Sequence, residues 1–244
     1  MFFAQSTLPF SLLLLLGGVV TKANGLRINN AQDLIDFSID INNGRNYSGS
    51  TVYLGSDIDF TPSLSQQFEP IGKSESYPFQ GTFDGQGHTI SNLVLNSSSL
   101  YTGLFGCSEE TTIKNVVLDE TCSFINSRSS KTSTTASFSG YCASCIIENV
   151  VNMGSVTYIG ITTVNFFAGG IVGRLLYSST ARNCVNYGSV TYKGTSTSSS
   201  SIGGIFGLCG VEYSAKFIQN CANFGTITNN GTSRIDLYMG RLLG

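Results

Sequence analysis

The sequence predicts an all-β fold, a parallel β-helix with coils of about 34 residues and a short N-terminal capping helix. Two repeats and the composition lead to it. First, Asn115, Asn149, Asn183 and Asn220 head aligned segments of the form Ile-Glu-Asn-Val-Val-Asn-Met-Gly-Ser-Val, at spacings of 34, 34 and 37 residues. Second, a glycine-rich block recurs in the same register and ends at Gly106, Gly173 and Gly207, with a degenerate copy at Phe138-Ser139-Gly140. Third, Gly reaches 28 of 244 residues, Trp is absent, and Val, Ile, Thr, Tyr and Phe occur in short runs, which favours many short strands. No run this short can bury its apolar side alone, so equivalent strands must stack, about 4.8 Å apart. Helical repeats of similar period need amphipathic stretches of about 12 residues, and the Gly/Asn/Ser-rich units lack them.

In chain order, Leu8 to Val20 has the length of a signal-peptide apolar region and is too short to span a bilayer comfortably. Residues 1–25 are therefore expected to be a signal peptide and 26–244 a single β-helical domain. Within 26–50, Asn30 caps a helix in which Leu34, Phe37, Ser38 and Ile41 share a face and Gly44 lies past the end, a cover for the open end of the stack. Residues 51–102 read as the first coils, with a turn at Asp84-Gly85-Gln86-Gly87. From 103 to 244 run the Gly-rich and Asn-centred repeats, three strands to a coil, the last coil incomplete and open to edge-to-edge assembly. The asparagines suit corners because a short amide tolerates the left-handed region, satisfies local backbone groups and can bond to its stacked copy. Ser/Thr-rich residues 127–139 and 195–201 read as excursions, the first a lengthened loop.

The net charge of −2 argues against a nucleic-acid binder. Twelve acidic and five basic residues precede position 121, whereas three acidic and eight basic follow it, a mild end-to-end dipole without a basic cluster. Carboxylates that could serve glycan chemistry are Asp57, Asp59 and Asp84, and His88 is the sole histidine. Turn capping and solvation are the simpler roles for all four. No metal loop or cofactor fingerprint is present, so no cofactor is expected. Cys184 and Cys221 occupy equivalent repeat positions and can either bridge or stay as stacked thiols; Cys142 and Cys145 have CxxC spacing without a second pair to complete a zinc set. Asn46, Asn96 and Asn230 begin glycosylation motifs if the host is a eukaryote.

Several segments together resemble the GLUG-type repeat proteins and related adhesin-like β-helical surface proteins. They are Asp33-Leu34, Asn42-Asn43-Gly44, Leu54 to Phe60, Pro70-Ile71-Gly72, Gly81 to Leu93 (GTFDGQGHTISNL), Gly103 to Gly106, and the later GGIVG and GGIFG blocks. The resemblance implies a right-handed, pectin-lyase-like β-helix in an exported, often cell-surface protein, and supplies no defined catalytic constellation. The expected function is non-enzymatic binding of an extracellular protein or glycan. A carbohydrate-active enzyme and a purely structural assembly module are the alternatives.

Overall fold

The computed structural model describes residues 25–129, 132–210, 217–234 and 236–243; the expected leader lies outside them except for Gly25. The chain winds as a right-handed parallel solenoid of about five turns, with a short helix at its N-terminal end. One full coil shows the plan: Ile146–Asn152, Ser155–Tyr158, Ile161–Thr162, Phe166–Gly169 and Val172–Leu176. Each of these strands pairs in parallel with its counterpart one coil along. Four principal strands and a two-residue fifth thus replace the three expected.

Stacking in register turns the sequence repeat into internal columns. Ile113, Ile147 and Ala181 are aligned in the long sheet and fully buried. On the other side of the coil Tyr158, Phe166 and Tyr192 form a stack, with ring centroids 4.4 and 4.7 Å apart at successive contacts. Burying a side chain of this class contributes roughly 2 kcal/mol.

The Gly-rich block makes the sharp turn between the strand ending at Gly169 and the one beginning at Val172. There Ile171 and its counterpart Ile205 point into the core, both fully buried. A Cβ on Gly173 would sit 2.7 Å from the Gly140 carbonyl oxygen and 3.1 Å from Thr134 Cβ, so only glycine lets these adjoining sheets approach. Gly106 and Gly207 are equally tight, 2.7 Å from the carbonyl oxygens of Gly72 and Gly173. Gly140 holds the same place, and Ser139 pairs with Val172 as Val172 does with Phe206, so the degenerate copy keeps the fold.

The Ser/Thr-rich stretch is not a lengthened loop. Ser133–Thr135 is a strand between Tyr101–Thr102 and Phe166–Gly169, and Ser133, Thr134, Thr135, Ser137 and Ser139 are all buried. Stacking register overrides local polarity here, and backbone acceptors compensate part of the cost: Ser137 donates to the Gly170 carbonyl, Ser139 to that of Tyr141. Residues 195–201 likewise contain the strand Thr195–Ser196 and the start of Ser200–Gly203.

Helix α1, Ala31–Asn42, covers the N-terminal end. Asn30 caps it by accepting from the Asp33 N–H at 2.9 Å, and Leu34, Ile35, Phe37, Ser38 and Ile41 are buried. Its polar residues anchor it as well: Ser38 donates to the Glu69 carbonyl at 2.6 Å, and Asn42 donates to Pro70 O at 3.1 Å and accepts from Lys73 N at 2.8 Å. Gly44 follows at φ +106°, a conformation side chains resist.

Candidate functional site

Asp57, Asp59 and His88 meet at the corner formed by the first two coils. Ile58–Asp59 pairs with Thr89–Ser91, which brings together residues about 30 positions apart. The Asp57 carboxylate lies 3.0 Å from His88 Nδ1 and accepts from the Thr89 N–H at 2.9 Å. Those bonds, the backbone one first, hold its carboxyl below the usual range. Asp59 accepts from Asn92 Nδ2 at 2.7 Å and from Ser91 Oγ at 3.2 Å, and Asn92 takes φ +57° to reach it.

Asp84 works elsewhere. It is aligned with Lys114 in the long sheet, is buried to 6% exposure, and its carboxylate meets Lys114 Nζ at 3.4 Å, Asn115 Nδ2 at 3.0 Å and the Gln86 N–H at 3.0 Å. Desolvation opposes its ionisation, but these three partners outweigh it and keep the carboxyl below its ordinary value. Asp84 heads an outer ladder: Asn149 donates to Asn115 at 3.0 Å, Asn183 to Asn149 at 2.9 Å and Asn220 to Asn183 at 3.2 Å. All four asparagines have φ between 51° and 56°, the left-handed conformation at a corner. A second, interior ladder runs the opposite way, Asn152 donating to Asn186 at 2.7 Å and Asn186 to Asn223 at 2.8 Å.

A groove of about 540 Å³ opens beside the Asp59–Asn92 contact, lined by Phe60, Thr61, Pro62, Ser65, Gln66, Asn92, Val94 and Asn96. One wall is a single helical turn, α2 (Pro62–Ser65). Thr61 caps it by accepting from Leu64 N at 3.3 Å, and Pro62 begins it where no N–H is needed. Ser65 Oγ accepts from Val94 N at 2.7 Å and donates to Val94 O at 3.0 Å, so one hydroxyl completes the edge of strand Val94–Ser97. Gln66 and Asn96 stand exposed on opposite walls. The groove has no local signature in the sequence; the Thr61-Pro62 pair is the one signal for α2.

Among the described residues no group of three or more His, Cys, Asp or Glu could hold a metal ion. The possible Cys184–Cys221 bridge is not formed: both are thiols, and the disulfide joins Cys142 to Cys145 across a corner. Of the three glycosylation motifs, Asn46 is tied to Gln80 Oε1 at 2.8 Å, Asn96 is in the groove, and Asn230 is exposed.

No family model matches the chain, and no curated protein matches it. Among solved structures, one named "putative immunoglobulin A1 protease" from Bacteroides ovatus superposes with a TM-score of 0.51 at 16% identity. The match covers 88% of this chain and 85% of that one. At that identity the likeness is one of fold.

Proposed function

We propose that this chain is a non-enzymatic, adhesin-like binding protein, secreted or displayed at a cell surface, that takes a neutral glycan in the groove between α2 and Val94–Ser97. The carrying observation is the lining: Thr61, Gln66, Asn92 and Asn96 are uncharged hydrogen-bonding side chains set beside Phe60, Pro62 and Val94. Sugar hydroxyls need paired donors and acceptors, which amides supply in one group, and sugar C–H faces need apolar wall. Charged walls would instead suit an ionic ligand. No described helix is long and apolar enough to cross a membrane.

Glycan-array binding by the folded protein, followed by titration calorimetry of Gln66→Ala and Asn96→Ala, tests the reading. Each variant is expected to weaken binding about fivefold, the worth of one net hydrogen bond. Folded protein that binds no glycan, or binds one with affinity unchanged in both variants, overturns it.

One observation favours a second reading, a carbohydrate-active enzyme: the Asp57–His88 pair, whose Asp57 is two residues from Asp59, the acceptor for the groove residue Asn92. It predicts glycan cleavage abolished in His88→Ala, whereas the binding reading predicts no cleavage by either protein.

A further inference from the structure

We infer that Cys221 and Cys184 form a thiol–disulfide exchange site, at which the Cys221 thiolate first attacks a small-molecule disulfide and Cys184 resolves the adduct into a bond joining neighbouring coils. The placement follows from stacking. Val185–Asn186 pairs with Ala222–Asn223 and Arg182 with Gln219, so the two cysteines between those positions are aligned at the same corner of adjacent coils. Both belong to the main core, Cys184 fully buried and Cys221 partly so, in the column that holds Val116 and Val150 in earlier coils. Where those coils stack two valines, the later coils stack two thiols.

Both sulfurs lie against the same stretch of backbone: Cys184 Sγ is 3.4 Å from the Arg182 carbonyl oxygen and Cys221 Sγ is 3.7 Å from that of Ala181. The neighbouring Cys184 thiol lowers the Cys221 thiol below its ordinary value, while the Cys221 sulfur and burial raise that of Cys184. Exposure sets the roles: an external disulfide can reach the partly exposed Cys221, which is the nucleophile, whereas Cys184 is fully buried and acts as the resolving thiol. Cys107 and Cys122 are 1% exposed, and burial raises both thiols, so neither competes.

The chemistry balances with one external disulfide. Cys221 thiolate attacks one sulfur of that disulfide, forming a mixed disulfide and releasing the other half as a thiolate. Cys184 then loses its proton to solvent and attacks the Cys221 sulfur, expelling the second half. Two protein thiols are oxidised to one S–S bond, and the external disulfide is reduced to two thiols.

Incubating the full chain with oxidised glutathione and mapping its peptides by mass spectrometry tests this. Wild type is expected to yield a linked Cys184–Cys221 peptide pair lighter by two hydrogens, with a thermal midpoint raised by about 5 °C. Cys184→Ser is expected to stop at a stable glutathione adduct on Cys221. Absence of the linked pair from folded wild type overturns the proposal, as does wild type that accumulates the Cys221 adduct unresolved. Because wild type alone decides, a misfolded variant does not obscure the result.

Discussion

At the scale of the residue, the outer asparagines combine a backbone requirement with a side-chain bond. Asn149 sits at φ 53°, donates to Asn115 and accepts from Asn183. Alanine there meets the left-handed penalty of about 1 kcal/mol and loses two exposed hydrogen bonds together worth roughly 1 kcal/mol. Asn149→Ala is therefore expected to lower stability by about 2 kcal/mol in urea titration, and Asn149→Gly by about half of that, because glycine removes only the bonds. Equal losses would assign everything to the side chain. Asp84, the anionic terminus of the same ladder, adds a pH dependence. Its folded carboxyl lies below the ordinary value near ~3.9, so its contribution is complete above that value and disappears as pH falls through the lowered folded one. Urea midpoints of wild type and Asp84→Asn should thus converge on acidification below about pH 4. A gap that stays constant across that window would mean that the charge contributes nothing.

At the scale of the element, α1 is held both by its own cap and by bonds into the first coils. Asn30→Ala is expected to cost about 1 kcal/mol, the usual loss for an N-cap. Asn42→Ala should cost more, roughly 2 kcal/mol, because it leaves the Pro70 carbonyl and Lys73 N–H without the amide that joins them to the helix. Far-UV and near-UV dichroism during denaturation would separate local fraying from loss of packing, and the reverse order of cost would sink this account of anchoring. Asn30 and the buried face of α1 were legible in the sequence because capping and 3.6-residue periodicity are local. The corner asparagines were legible for the same kind of reason, since the left-handed conformation selects residue type directly. The groove was not, because its walls, Phe60 to Gln66 and Asn92 to Asn96, meet only after Ile58 pairs with Ile90. Nor was the strand Ser133–Thr135, because its burial is imposed by the strands on either side of it, and hydroxyl side chains carry no sign of that.

At the scale of the whole molecule, a solenoid is stabilised by contacts between neighbouring coils, so stability should vary along its axis. The N-terminal end is covered by α1, and the bridges Ile71 to Phe105 and Phe79 to Ser108 pair the edge of Phe105–Glu109. In the last described coil, Phe217–Gln219 and Leu237–Gly240 each pair with a strand on one side only. Ile218 is 37% exposed there, whereas its column partners Ile147 and Ala181 are fully buried. In the chain of residues 1–244 by itself, amides of 217–240 are therefore expected to exchange with deuterium faster than those of 112–126. Gly188 provides a way to cut the stack in the middle, because a Cβ there would lie 1.8 Å from the Gly154 carbonyl oxygen, a backbone atom that cannot turn aside. Gly188→Val should force the neighbouring coils apart and abolish protection from about residue 180 onward, while the segment 112–126 keeps most of its own, supported by the coils before it. Uniform loss of protection over the whole chain would show instead that the solenoid unfolds as one cooperative unit. In that case the covered N-terminal end, the aromatic stack and the two asparagine ladders would share their stability across every coil.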